Sequence, residues 1–441
     1  MRLGLAGLGV MGRNLALNFR DAGHEVVAWD PWPSARAWQV DGVGVCETMG
    51  ELIACLEQPR IILLMIKAGE PVRELAAQLD GLLAPGDIVI DGGNAHFIDT
   101  QTNVKLRAQR GIHFAGLGVS GGAEGARNGP SMMLGCDEEV RDLLVPVLES
   151  IAARHVGQPC VAWFGKDGAG HFVKMVHNGI EYAVMEAIAE AWQLLAATGL
   201  EAFEVGKVFA GWADGELAGY LMEISAEVLQ VMDSASGKPF VHIVDDAAGQ
   251  KGTGGWTVQE AVHLGVPVPS IMAAVTARQV SSHRDLRIQK TAPVHVPGLQ
   301  PDTIEGALKA SITLALAQGG HLMKVASKQY GWHIEPATAA RVWRQGSILR
   351  MDFLDDFADG VALMTKGRAN REALAQAVIS AAQHGVPVPV FSAGLTYLDM
   401  CDTATLPTSL VQLQRDRFGA HGLKRKDTDE IFHGPWHGSG S

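Results

Sequence analysis

Arg2-Leu3-Gly4-Leu5-Ala6-Gly7-Leu8-Gly9-Val10-Met11-Gly12 is the stretch that decides the fold of the first part of this chain. An apolar run of strand length leads into the spacing Gly7-x-Gly9-x-x-Gly12, and a helical pattern follows as far as Gly23. Residues 26–29 then supply a second strand. Glycines at this spacing permit a tight turn, close approach of backbone N–H groups to a pyrophosphate, and close packing of helix on sheet. Alone the fingerprint is weak. Inside a complete strand–turn–helix–strand unit it predicts a dinucleotide site built from Gly7, Leu8, Gly9, Val10, Met11 and Gly12.

Outward from this unit, apolar runs at 61–66, 88–90 and 113–115 alternate with helical patterns, as in a parallel sheet covered by helices on both faces. A Gly-rich stretch at 165–170 marks a change. Beyond it, segments rich in Ala, Leu and Met carry helical periodicity, for example 171–198, 303–330 and 370–396. The expectation is an α/β Rossmann-type N-terminal domain at 1–168, a large all-α domain at 169–405, and a polar, basic C-terminal tail at 406–441. Residues 205–223, with Trp212 and Gly215, look distantly like 340–355, with Trp343 and Gly346, which suggests a duplicated helical unit. The last residues, His437-Gly438-Ser439-Gly440-Ser441, have linker-like composition and carry no assigned function.

With 441 residues and 47% hydrophobic content, the chain can bury substantial cores in two or three domains. Its formal charge of -12 argues against a general affinity for nucleic acid or an anionic membrane. An anionic substrate must therefore meet a local basic pocket. The five cysteines, Cys46, Cys55, Cys136, Cys160 and Cys401, form no C-x-x-C pair, and an odd count cannot close a complete intramolecular disulfide set, which points to a reducing, cytoplasmic setting. No signal-peptide pattern opens the chain, and no apolar run approaches the roughly 20 residues of a membrane span. The sixteen histidines show no H-E-x-x-H pattern, and no metal site is expected.

Asp30 ends the second strand, 18 positions after Gly12, where an acidic residue accepts hydrogen bonds from an adenosine ribose. Its carboxylate would repel a 2'-phosphate, and Pro31 offers no cation to pair with one. NAD is therefore expected in preference to NADP, with Arg36 as the nearby cation through which NADP stays possible.

The chemistry-bearing passage is Lys174-Met175-Val176-His177-Asn178-Gly179-Ile180-Glu181-Tyr182. Counting from Lys174, residues His177, Asn178, Glu181 and Tyr182 fall at i+3, i+4, i+7 and i+8, one face of a helix. Val173, Met175, Val176 and Ile180 cover most of the rest, so the helix is buried and its polar stripe lines an interface or a pocket. The plainer alternative is a solvated stripe with Lys174 paired to Glu181. Against it, the mixture of Lys, His, Asn, Glu and Tyr is a donor and acceptor set suited to a hydroxylated substrate. A lysine so placed can lose its proton near neutral pH and act as a general base, with Glu181 as the complementary acid.

Five passages occur in order: Asp91-Gly92-Gly93-Asn94; Gly118-Val119-Ser120-Gly121-Gly122-Ala123-Glu124-Gly125-Ala126-Arg127; the Lys174 helix; Ala248-Gly249-Gln250-Lys251-Gly252-Thr253-Gly254; and Gln414-Arg415-Asp416-Arg417-Phe418-Gly419-Ala420-His421. Through them the chain resembles the 6-phosphogluconate dehydrogenase family over nearly its whole length. The resemblance implies oxidation of C3 of 6-phosphogluconate, loss of C1 as carbon dioxide, and formation of ribulose 5-phosphate. Lys174 would take the C3 hydroxyl proton and then stabilise the keto oxygen, and Glu181 would protonate C1 of the enediol. It further implies that Asn94, Ser120, Gly121, Gly122, His177, Asn178 and Tyr182 surround the substrate, Asn94 also lying near the nicotinamide. Lys251, Arg278, Arg415 and His421 match phosphate-pocket positions, Ile66, Lys67 and Ala68 a cofactor-contacting loop, and Met11 a position packing on the cofactor. By the same resemblance the protein is a homodimer, its C-terminal arm carrying Arg415 and His421 into the partner's active site.

The chain departs from the family's pattern in places. Asp30-Pro31-Trp32 stands where NADP-dependent members usually have Asn-Arg-Ser/Thr, Leu134 and Cys136 where a Pro and a Gly are usual, and Gly255 where a Lys is usual. Two other readings compete. A dehydrogenase of small β-hydroxyacids shares the fingerprint and a catalytic lysine but is typically much shorter. A nucleotide-binding sensor would keep the fold and lose the chemistry, against which the presence of both Lys174 and Glu181 counts.

Overall fold

A computed structural model of the chain describes residues 1–287 and 294–437. The linker-like end at 438–441 lies outside the described residues. Two compact units are present, 1–395 and 396 onward.

The first unit begins with an eight-stranded sheet. From one edge to the other its strands are Val161–Trp163, Ser131–Gly135, His113–Ser120, Ile88–Asp91, Ile61–Leu64, Arg2–Ala6, Glu25–Trp29 and Val43–Val45. Every pair from His113–Ser120 across to Val43–Val45 is parallel, while Ser131–Gly135 runs antiparallel to His113–Ser120. The parallel strands read as unbroken apolar runs because both faces are covered. Along Ile61–Leu64, Leu63 enters one core with Leu5, Leu15 and Phe19, while Ile62 and Leu64 enter the other with Leu52, Leu75 and Phe114. That alternation is the two-residue period of a strand.

The order of strands reverses beside Arg2–Ala6, and the crevice at such a switch point is where open α/β sheets bind dinucleotides. Gly7-x-Gly9-x-x-Gly12 turns there into the helix Val10–Asp21. A Cβ on Gly12 would collide with the carbonyl oxygen of Gly7, so no side chain fits at that position.

Two long helices, Ala169–Ala197 and Pro301–Tyr330, pack on each other and dominate the helical part. The first also lies against His113–Ser120 and Ser131–Gly135, which brings its polar stripe to the end of the sheet. Where one helix was expected over 370–396, the chain forms Arg371–His384 and Pro389–Asp402. Gly385 adopts a left-handed conformation, and Pro387 and Pro389 lack the N–H groups that a continuous helix requires. The two stretches that look alike in sequence meet head-on: Gly219 and Met351 form an antiparallel bridge, with Tyr220 N donating to Arg350 O at 3.0 Å and Asp352 N to Ala218 O at 3.3 Å.

The second unit holds the helix Thr408–Gly419 and a small antiparallel pair, Leu423–Lys424 with Ile431–Phe432. That helix was not foreseen. Of its residues only Asp416 is buried, while the apolar Leu410, Val411, Leu413 and Phe418 are exposed. Among the described residues no helix is long and apolar enough to cross a membrane.

Candidate active site

The cofactor cleft is organised around Asp30. Its buried carboxylate accepts from Leu8 N (2.6 Å) and Trp32 N (2.9 Å), which fixes it across the Gly-rich turn from the strand end. Arg36 is committed elsewhere: Nη1 donates to the carbonyls of Asp30 (2.8 Å) and Pro31 (3.1 Å), and Nε to Glu47 (3.2 Å). Trp32 is largely exposed beside Asp30, as are Pro31, Gly9 and Val10. On the opposite wall Ile66 Cγ2 would stand 2.8 Å from a Cβ on Gly7, Ala68 is half-buried, and Lys67 is exposed. Met11 packs against the sheet core.

The polar stripe of Ala169–Ala197 meets the last residue of the strand His113–Ser120. Gly118 permits the approach, since a Cβ there would lie 2.5 Å from Lys174 Cβ. Lys174 Nζ donates to Ser120 Oγ (3.1 Å), and Ser120 Oγ lies 3.4 Å from His177 Nε2. His177 Nδ1 lies 3.2 Å from Asn178 Oδ1, and Asn178 Nδ2 donates to Thr253 Oγ1 (3.2 Å). A neutral imidazole protonated on Nδ1 satisfies this whole chain: Lys174 to Ser120, Ser120 to His177, His177 to Asn178, Asn178 to Thr253. Lys174 Nζ is also 3.3 Å from His177 Nδ1, and Glu181 Oε2 is 3.6 Å from the same nitrogen.

Electrostatics follow from enclosure. Burial holds Lys174 down to about 8, against the pull of Glu181 and with help from Lys251. Burial and the neighbouring Lys174 hold His177 well below its usual range. Burial raises the Glu181 carboxyl, countered by Lys174 and Arg278. Near neutrality this group of residues holds a lysine that gives up its proton readily, a neutral imidazole, and a carboxyl that keeps its proton longer than usual, the pairing expected of a base and an acid.

The description "6-phosphogluconate dehydrogenase, C-terminal domain" matches residues 170–436, and "NAD binding domain of 6-phosphogluconate dehydrogenase" matches residues 2–165. The chain belongs to the 6-phosphogluconate dehydrogenase family. It is thereby an oxidoreductase. It is 42% identical to a Bacillus subtilis protein named "6-phosphogluconate dehydrogenase, NADP(+)-dependent, decarboxylating", over 99% of both chains. It is similar to the solved 6-phosphogluconate dehydrogenase of Plasmodium falciparum, described with NADP+ and with 6-phosphogluconate, at a TM-score of 0.93 and 33% identity over 99% of this chain and 100% of that one. A Salmonella typhimurium 3-hydroxyisobutyrate dehydrogenase shares the fold alone, with a TM-score of 0.50 and 22% identity over 65% of this chain and 94% of that one.

In this family member the remaining expected site residues fall in three places. Ser120, Gly121 and Gly122 form the turn at the strand end, with Gly121 against Gly346 and Asn94 exposed after Gly92-Gly93. Arg278 lies over the Tyr182 ring at 3.5 Å and donates to Gly249 O at 3.2 Å. Arg278 is thus fastened to the loop that carries the exposed Lys251. The same loop is tied to the end of the helix Pro269–Ser282, which carries Arg278, by Ser281 Oγ, which accepts from Ala248 N, and to the residues after it by Arg284 with Asp245 and Arg287 with Asp246. Arg415 and His421 lie in the second unit, both exposed.

Sequence reasoning missed two residues that build the site. Thr253 accepts from Asn178, and Trp343 packs edge-on to the His177 ring, with centroids 5.1 Å apart at 83°. Trp343 had been singled out for the repeat and not for the site. The departures from the family's pattern sit quietly: Leu134 and Cys136 are buried in the sheet core, and nothing lies within 4 Å of a Cβ on Gly255.

Proposed function

We propose that this chain oxidises 6-phosphogluconate at C3, releases C1 as carbon dioxide and forms ribulose 5-phosphate, with NAD preferred over NADP. The observation that carries the reading is the buried Lys174, held at about 8 and aimed at Ser120 beside a neutral His177. Uncharged Lys174 removes the C3 hydroxyl proton. When bound, the nicotinamide supplies the acceptor for the C3 hydride. The lysinium then donates to the new keto oxygen and stabilises negative charge there as the C1–C2 bond breaks and its electron pair moves toward C3. Glu181, whose carboxyl burial pushes up from its ordinary range, delivers a proton to the carbon that lost carbon dioxide. Ser120, His177, Asn178 and Tyr182 orient the substrate's hydroxyls together with Asn94, Gly121 and Gly122.

The residues of the cleft fit a nicotinamide dinucleotide: the Gly7–Gly12 turn takes the pyrophosphate at a helix N-terminus, and Ile66, Lys67 and Ala68 line the opposite wall. NAD is favoured because Asp30 presents a carboxylate at the ribose and Arg36 is engaged with two carbonyls and Glu47. The relatives described with NADP carry that cofactor as their own property. Lys251 and Arg278, with Arg415 and His421 of a partner's tail, complete a phosphate pocket in a homodimer. The proposed division of labour is cofactor binding by 1–168, substrate binding by 169–405 and completion of the partner's site by 406–441. Five free thiols support a reducing, cytoplasmic setting. Steady-state reduction at 340 nm with 6-phosphogluconate and each cofactor tests substrate and cofactor together. A higher kcat/KM with NAD supports the reading, a clear NADP preference overturns the cofactor assignment, and no turnover with either overturns the reaction.

A further inference from the structure

Within the second unit one carboxylate is fully enclosed. Asp416 Oδ1 accepts from Gly422 N (3.0 Å) and His433 Nδ1 (2.7 Å), and Oδ2 accepts from Gly434 N (2.9 Å) and Trp436 Nε1 (3.0 Å). Two donors on each oxygen fill the acceptor capacity of the group. Burial alone would push the Asp416 carboxyl up, but the hydrogen bonds from Gly434, His433, Gly422 and Trp436 outweigh it and hold the carboxyl far below the usual range. The group is therefore an anion that is structurally saturated and not directed at a ligand.

Its position gives that saturation a purpose. Asp416 sits between Arg415 and Arg417 in the last turn of the helix Thr408–Gly419. Its backbone carbonyl accepts from Ala420 N (2.9 Å), and Ala420 turns left-handed. The His421 ring folds back over Gly419, where a Cβ would lie 2.6 Å from Nε2. At the other end of the knot the Trp436 ring lies across Gly434, leaving no room for a side chain there. One carboxylate thus ties together the helix end, the turn after His421 and the segment 433–436. Arg415, one residue earlier on the helix, faces a different side from Asp416. Its Nη1 donates to Gln412 Oε1 (3.1 Å), and both Arg415 and His421 stay exposed on a fixed backbone.

We propose that Asp416 is a positioning residue for the substrate's phosphate, acting through Arg415 and His421, and that residues 433–436 belong to the framework of that site. This rests on the proposed reading that Arg415 and His421 meet the phosphate. Side chains already held in place lose less conformational freedom on binding an anion, so the knot acts on affinity more than on the chemical step.

Steady-state kinetics of full-length variants test the proposal. Asp416→Asn keeps the size but turns one acceptor oxygen into an NH2 facing two donors. The expected result is a KM for 6-phosphogluconate raised about tenfold or more, from loss of hydrogen bonds to a charged group, with kcat altered less than about threefold. Turnover of gluconate, which lacks the phosphate, should keep its kcat/KM. Trp436→Phe removes one donor while keeping an aromatic ring, and should raise KM about threefold; it decides the matter if Asp416→Asn does not fold. Arg415→Ala, measured in parallel, separates the two levels. An unchanged KM in Arg415→Ala overturns the phosphate reading and this proposal with it. A raised KM there, with unchanged KM in Asp416→Asn and Trp436→Phe, overturns the positioning role alone. Equal loss toward 6-phosphogluconate and gluconate in Asp416→Asn also overturns it, since a general collapse would affect both.

Discussion

Lys174 Nζ donates to Ser120 Oγ across 3.1 Å, joining the long helix to the last residue of the strand His113–Ser120. The contact makes the hydroxyl of Ser120 a link between the base and the His177 ring. Ser120→Ala removes that link and leaves His177 Nε2 without the hydroxyl. It should lower kcat about tenfold to a hundredfold, within the range lost when one hydrogen bond to a charged group disappears at a reacting centre. A kcat within about twofold of wild type would show that the link does not matter for catalysis.

The pH profile follows from the same lysine. Burial holds Lys174 at about 8, and the base acts unprotonated. Protonation on the acid side therefore removes active enzyme, and kcat/KM should rise about tenfold per pH unit until it levels near pH 8. Lys251 contributes to the depression. Lys251→Ala should therefore move the acidic limb toward higher pH, apart from any change in substrate affinity. A limb that stays in place, or moves lower, contradicts the electrostatic account.

Gly118 is a point of close approach between the sheet and the helix that carries Lys174. A Cβ there would lie 2.5 Å from Lys174 Cβ and 3.1 Å from Gly170 O, so the backbone must move to admit it. Gly118→Ala should cost about 1–3 kcal/mol of stability, as overpacking does, and should lower kcat through displacement of Lys174. Denaturant unfolding measures the first effect and steady-state kinetics the second. A variant with wild-type stability and activity would show that the helix moves freely against the strand.

Cofactor choice turns on Asp30. Its carboxylate holds Leu8 N and Trp32 N, and the proposed reading sets it at the ribose. Asp30→Asn removes the charge and should lower kcat/KM for NAD about tenfold while leaving that for NADP unchanged or higher, so the ratio of the two falls. An unchanged ratio would place the discrimination elsewhere in the loop from Pro31 to Arg36.

The fold was legible where its signals are local. A Gly-rich turn between two strands and a stripe at i+3 and i+4 both lie within a few residues of themselves, and both the turn and the helix form as read. The break at 385–389 was also written locally, in Gly385, Pro387 and Pro389, but the long helical periodicity on either side masked it. The strands Val43–Val45, Ser131–Gly135 and Val161–Trp163 were not foreseen. The helix Thr408–Gly419 buries none of its apolar residues. Within the site, Thr253 and Trp343 reach Asn178 and His177 from distant parts of the chain, and no local pattern encodes such a meeting. The enclosure of Asp416 was hidden in the same way, since His433, Gly434 and Trp436 all lie past residue 430.

The central claim is that Lys174 is the base that starts the reaction. Single-turnover reduction of the nicotinamide, followed at 340 nm with saturating 6-phosphogluconate, tests it in Lys174→Ala. The account predicts a rate lowered by about a hundredfold to ten-thousandfold, the usual contribution of a general base, with cofactor binding intact. A variant that reduces the nicotinamide at a rate near that of wild type would contradict it.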